Sequence, residues 1–140
     1  MRSLSSNRVP WLLNLLGIVA ALVTLHGCVA NPLAAAKTID QKAYALYGTF
    51  MAFEEVGATI VQAPAVPEVV KAAIRKADRI AKPVADSLLS ALKQYVVIQQ
   101  QLAVGATTND KLAIATANLE KWVRDAEPLI QDLVKAVGGK

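Results

Sequence analysis

The stretch "LAIATANLEKWVRDAEPLIQDLVKAV", residues 112–137, decides the fold of this chain. Its apolar residues recur at intervals of three or four, the spacing of one face of an α-helix. Gly138 and Gly139 follow at once, as is typical of a helix end. The stretch therefore predicts a long amphipathic helix with one apolar seam. That seam consists of Leu112, Ala115, Leu119, Trp122, Ala126, Leu129, Leu133 and Val137.

The same spacing occurs in a segment that begins near Thr38. Thr38 and Gln41 stand three residues apart, as in a capping box at a helix start. Pro64 and Pro67 end the pattern. We therefore expect a second amphipathic helix here. Its seam consists of Ile39, Ala43, Leu46, Phe50, Phe53, Gly57 and Ile60.

A third periodic segment runs from about Glu68 to Val104, between the other two. Gly105 indicates its end, and Thr107 or Thr108 is the expected N-cap of the helix that follows. The residues predicted to form its seam are Val70, Ala73, Ala77, Ile80, Val84, Leu88, Ala91, Tyr95, Ile98 and Leu102.

Three long helices with short connections predict an all-α domain, an antiparallel three-helix bundle over residues 38–140. Pro83 and Pro128 fall inside the second and third helices. Proline lacks the amide donor and clashes with the carbonyl four residues earlier, so we expect a kink or local break at each.

A different composition precedes the helical domain. Residues 1–10 are polar, with Arg2 and Arg8 and no acidic side chain, and residues 11–25 are almost entirely apolar. That apolar run is shorter than the roughly 20 residues that a membrane-spanning helix needs. The pattern is typical of a secretory signal peptide.

The end of this leader resembles the lipobox of bacterial lipoprotein precursors. Leu25, Gly27 and Cys28 match the family pattern, whereas His26 is larger and more polar than the residue usual there. The resemblance implies a signal peptide of residues 1–27 and fatty-acyl chains, palmitate among them, on Cys28. Residues 28–37 would then be a tether. Two or three acyl chains anchor a protein durably in a membrane.

Two other interpretations of the leader stay open: residues 11–25 retained as an uncleaved membrane anchor, and an ordinary cleaved signal peptide. If Cys28 is lipidated, the valine at position 29 bears on location. In enteric bacteria an aspartate at that position favours retention at the inner membrane. Val29 therefore favours the outer membrane, with the domain facing the periplasm.

Part of the domain, residues 36–89, is similar to small helical proteins of unassigned role from tailed phages and prophages. The similarity rests on "DQKAYALYGTF", residues 40–50, and on the pattern VPxxVKxAIxKAD at residues 66–78. It implies an envelope protein of an infected or lysogenic cell, acting in superinfection exclusion or as a lysis accessory by binding an envelope or phage protein. The alternative is a structural component of a virion or membrane complex.

Composition argues against several other functions. Two of the 15 basic side chains lie in the leader, so the rest of the chain has 13 basic and 11 acidic side chains. This excess of positive charge is too small to indicate nucleic-acid binding. Residues 29–140 contain neither histidine nor cysteine, which excludes Ser-His-Asp and Cys-His nucleophiles and metal sites built on those ligands. We therefore expect no enzyme, no metal and no cofactor.

Two sets of side chains remain as candidate sites. The first is a basic stripe at helical spacing, a possible contact for anionic lipid or lipopolysaccharide phosphates, or else a solvated face. The second is an aromatic pocket of Tyr47, Tyr95 and Trp122, with a core role as its alternative. The basic stripe consists of Lys71, Arg75, Lys76, Arg79 and Lys82.

Overall fold

The computed structural model describes residues 35–138, and the predicted all-α bundle is confirmed over them. Three helices make up the fold: α1 (Ile39–Gln62), α2 (Glu68–Ala103) and α3 (Asn109–Val137). The predicted signal peptide, Cys28 and most of the tether lie outside the described residues. No helix within residues 35–138 is both long and apolar enough to cross a membrane.

Helix α1 begins at the predicted capping box. The backbone N–H of Thr38 donates to Gln41 Oε1 at 3.4 Å, and that of Lys37 donates to the same oxygen at 2.9 Å. Two amides that the first helical turn leaves without partners are thereby satisfied.

Short turns connect the three helices and make successive helices antiparallel. Residues 63–67, with Pro64 and Pro67, connect α1 to α2, and Pro67 is the N-cap of α2. Residues 104–108 connect α2 to α3; Gly105 takes a positive φ of 70° there, and Thr108 is the N-cap of α3. The α1 N-terminus, the α2 C-terminus and the α3 N-terminus therefore share one end of the bundle.

One continuous core lies between the three helices. The predicted seams of α1 and α3 are confirmed, because their central residues are buried and the others are mostly half-buried. At roughly 1.5–3 kcal/mol for each large apolar side chain, this burial is the main stabilising contribution. The large side chains with almost no exposed surface are Phe50, Leu46, Leu88, Leu92, Leu119, Ile130 and Leu133.

The seam predicted for the first half of α2 is wrong by one position. Val70, Ala73 and Ile80 are exposed, whereas Lys71 and Ile74 are buried. The observed stripe has the same three-and-four spacing, but it includes two ionisable side chains that are unlikely core residues by type. Its members are Lys71, Ile74, Asp78, Ala81 and Ala85.

Neither internal proline breaks its helix. Helix α2 continues through Pro83 and α3 continues through Pro128, so the expected local break is absent. Both rings lie on the exposed side, where water can satisfy the carbonyl that lost its amide partner. A bend at each proline stays a prediction.

Helix α1 packs tightly against the other two helices at Gly57, near its C-terminal end. A Cβ atom at this position would lie 3.1 Å from Ile74 Cγ2 and 3.3 Å from Val137 Cγ2. Both distances are shorter than ordinary carbon–carbon contact. The absence of a side chain is therefore what lets α1 pack here.

Two glycine substitutions in α1 test this approach. Gly48→Ala should raise the free energy of unfolding by about 0.5–1 kcal/mol, since alanine favours the helix and Gly48 has nothing within 4 Å of its would-be Cβ. Gly57→Ala gains the same propensity but overpacks the core, so its stability should fall below that of Gly48→Ala by about 1–3 kcal/mol. Urea denaturation of residues 37–140 measures both. Equal stabilisation by the two substitutions would contradict the close packing at Gly57.

Candidate functional site

The basic stripe begins with two residues held by one carboxylate in the first turn of α2. Lys71 Nζ lies 3.3 Å from Glu68 Oε1, and Arg75 Nη1 lies 3.4 Å from Glu68 Oε2. Lys71 keeps only 8% of its surface exposed. The hydrogen bond and the positive charge of Lys71, with a smaller contribution from Arg75, hold the pKa of Glu68 below its ordinary value.

The last residue of the stripe connects two helices. Lys82 of α2 forms an ion pair with Glu54 of α1. The hydrogen bond from this ammonium to Glu54 and the attraction between the two charges raise the pKa of Lys82. The pair fixes α1 against the middle of α2.

A second carboxylate, Asp78, lies beside this ion pair on the inner side of α2. Its Oδ1 atom is buried and has no hydrogen-bond partner among the described residues. Burial raises the pKa of Asp78, the nearby charge of Glu54 raises it further, and Lys82 offsets part of that effect. The three side chains form a carboxylate–lysine cluster, defined as Glu54, Asp78 and Lys82.

The carboxylate–lysine cluster borders a cavity of about 200 Å³ between the helices. Apart from Glu54, Asp78 and Arg75, its walls are apolar or backbone, with Gly57, Ile74 and Leu133 among them. Lys82 neutralises the charge of Glu54 by pairing with it, and desolvation disfavours the charged form of Asp78. This arrangement fixes helix positions; within residues 35–138, no group of three or more His, Cys, Asp or Glu side chains is placed to hold a metal ion.

The five residues of the basic stripe therefore do not form one uniform charged surface. Lys71 and Arg75 are paired with Glu68, and Lys82 is paired with Glu54. Lys76 and Arg79 are exposed and form no ion pair with another residue of the range 35–138. Contact of the stripe with an anionic surface stays a prediction that depends chiefly on these two residues.

The aromatic candidates do not come together in one pocket. Tyr95 is buried, and its hydroxyl accepts a hydrogen bond from Gln99 Nε2 at 3.2 Å. Tyr47 packs near Phe50, with ring centroids 6.3 Å apart. Half-buried Trp122 lines a shallow polar groove between α2 and α3, and Lys121 Nζ lies 4.1 Å from the centre of its ring. The core interpretation is therefore the better one for Tyr95.

The carboxylate–lysine cluster was not predicted from the sequence. The sequence does contain a pattern that could have indicated it. Lys71, Ile74, Asp78 and Ala81 follow the same helical spacing as the predicted apolar seam. A charged residue is seldom buried unless it is paired. Glu54 and Lys82 lie 28 residues apart, so only the packing of α1 on α2 shows that they meet.

Comparisons with known proteins were made at the level of families, sequences and structures. No family model matches this chain. No curated protein and no solved structure matches it significantly either.

The raised pKa of Asp78 gives a pH-dependent stability. Because the folded chain keeps this proton to a higher pH than the unfolded chain, Asp78 lowers the free energy of unfolding as pH rises through the interval between the two pKa values. Asp78→Asn removes the buried charge, so it should raise the melting temperature at pH 7. This gain should shrink toward zero as pH falls below about 4. Thermal unfolding followed by circular dichroism between pH 3 and pH 7 measures it.

Asp86→Asn is the matched control, because Asp86 is exposed on the same helix. Its effect on the melting temperature should be small at both ends of the range. The desolvated environment of Asp78 would be contradicted if both variants changed the melting temperature equally, or if Asp78→Asn were destabilising at pH 7.

Proposed function

We propose that this protein is a cell-envelope lipoprotein whose helical domain is a non-enzymatic binding module. The observation that carries the proposal is Cys28, the only cysteine of the chain, directly after an apolar leader and within the sequence Leu25-His26-Gly27-Cys28. Fatty-acyl chains on Cys28 would hold the domain at the membrane, at the periplasmic face of the outer membrane given Val29.

The position of α1 supports a lipid-tethered domain. Helix α1 begins at Ile39, so ten residues, 29–38, separate it from Cys28. Ten extended residues span at most about 33 Å. The domain would therefore stay within one bundle length of the lipid surface.

The charged residues of the bundle support binding more than catalysis. The two carboxylates that border the cavity lined by all three helices, Glu54 and Asp78, are neighbours of Lys82, and Glu54 is paired with it. An acid–base mechanism requires a carboxyl group that is free to exchange its proton with a bound substrate. The partner that we propose is an envelope or phage protein, in superinfection exclusion or as a lysis accessory.

Cys28→Ala tests the anchor. In cells given a labelled fatty acid, the parent chain should incorporate the label, fractionate with membranes and lose its 27-residue signal peptide. The alanine variant lacks the acceptor thiol, so it should take up no label. Gel fluorography and membrane fractionation measure the result. Val29→Ala, at the neighbouring position, is the control that should keep both label and location.

Label in the Cys28→Ala variant, or no label in the parent chain, would contradict the lipoprotein proposal. An unlabelled parent that still fractionates with membranes at full mass would instead favour residues 11–25 as a retained anchor.

A further inference from the structure

The end of the bundle formed by α2 and α3 has no buried core. None of residues 96–114, which we name the hairpin tip, is buried, although Tyr95 and Ala115 on either side of it are. Ile98, Leu102 and Leu112 within the tip are only half-buried. The tip is thus a helical hairpin whose apolar side chains are incompletely covered by the other residues of the range 35–138.

The different lengths of the helices explain the missing core. Gly57 of α1 lies against Ile74 of α2 and Val137 of α3, so the three helices are level there. From that level α1 extends 18 residues, back to Ile39, while α2 extends 29 residues, on to Ala103. At 1.5 Å per residue, α2 projects about 16 Å beyond the start of α1. The hairpin tip is this projection.

The hairpin tip is also nearly uncharged. Residues 94–109 contain no charged side chain, and the whole tip contains only Asp110 and Lys111. Three of its large apolar side chains are exposed: Val97 to 50%, Val104 to 79% and Ile114 to 70%. Polar side chains separate these three residues along the chain, most of them uncharged, as at Gln99–Gln101, Thr108 and Asn109. A cluster of exposed apolar side chains in weakly charged surroundings is typical of a contact surface.

The opposite end of the bundle has a different character. Val69 at that end is 76% exposed, as Val104 is at the tip. Charged side chains surround Val69 along α2, however, with Glu68, Lys71, Arg75 and Lys76 in its first two turns. Val69 therefore provides a matched comparison for Val104, equal in type and exposure but in charged surroundings.

The chain enters the bundle at the end that carries the hairpin tip. Residues 1–34 connect to the start of α1, which shares this end with the turn between α2 and α3. Lys37, Lys42, Lys93 and Lys121 lie near the level where the tip begins, together with the acidic residues Asp40 and Glu120. Lysines that flank an apolar segment favour the surface of an anionic membrane.

We propose that the hairpin tip rests in the lipid surface to which the chain is anchored, with Val104 of the turn at the level of the acyl chains and the polar side chains of the tip among the headgroups. This inference rests on the proposed membrane anchor. Apolar side chains at a membrane interface enter the boundary between headgroups and acyl chains to a depth of about 5–10 Å, which the projection of the tip allows. The bundle then stands on its tip, and the end with Lys71 and Arg75 faces away from the membrane.

Single tryptophans at the two exposed valines test the proposal in the full chain. The background variant is Trp11→Phe with Trp122→Phe, and Val104→Trp or Val69→Trp is added to it. Each protein is purified with its anchor and placed in vesicles that contain anionic lipid and lipid with brominated acyl chains, which quench tryptophan fluorescence on contact. Quenching of Val104→Trp should be several-fold greater than that of Val69→Trp. Circular dichroism confirms that both variants keep their helices.

Three results would overturn the proposal. Stronger quenching at position 69 would mean that the end with the basic stripe faces the lipid. A tryptophan at position 104 that is unquenched and blue-shifted would mean that protein covers the tip, such as a second copy of the chain. Flotation of the vesicles separates these failures from failure of the anchor, because a chain that does not float with them contradicts both proposals.

Discussion

Burial of the apolar seam shared by α2 and α3 is the interaction on which the rest of this structure depends. Leu88 and Leu92 of α2 and Leu119, Ile130 and Leu133 of α3 have almost no exposed surface. An isolated helix is marginal in water, so each of these helices persists because it covers the other. Helix α1 completes the core along part of their length, and its glycine at position 57 sets how closely it packs.

The carboxylate–lysine cluster lies where α1 packs against α2, beside the apolar core. Asp78 is half-buried, and its Oδ1 atom is shielded from water without a hydrogen-bond partner among residues 35–138, which costs free energy. Lys82 reduces the cost by pairing with Glu54 at the rim of the same cavity. The Lys82–Glu54 pair therefore adds a charged contact between α1 and α2 to their apolar packing.

The sequence predicted the helices better than it predicted their faces. Proline and glycine at the turns and the capping box at Thr38 are local signals, so the bounds of α1 and α3 followed from them. The prediction of the buried face failed in the first half of α2. Two stripes fit the helical period there, and the stripe that faces the core contains Lys71 and Asp78. The packing of the other helices, such as Gly57 of α1 against Ile74, distinguishes the two stripes. The hairpin tip could not be predicted from the sequence for a similar reason. A projecting end is recognised only by comparing the lengths of packed helices, which requires knowing how they are aligned.

The direction of the three helices has a mechanical consequence. An odd number of antiparallel helices places Ile39 and Val137 at opposite ends of the bundle, with α1 and α3 parallel. A pulling force between these two residues acts along the helix axes and loads the contacts of α1 with α3 in shear, all together instead of one after another. Resistance to such a force depends on the rate of unfolding and not on the equilibrium stability. If the N-terminal end is fixed in a membrane and a partner pulls at the C-terminal end, this helix arrangement loads the α1–α3 contacts in shear and so resists unfolding.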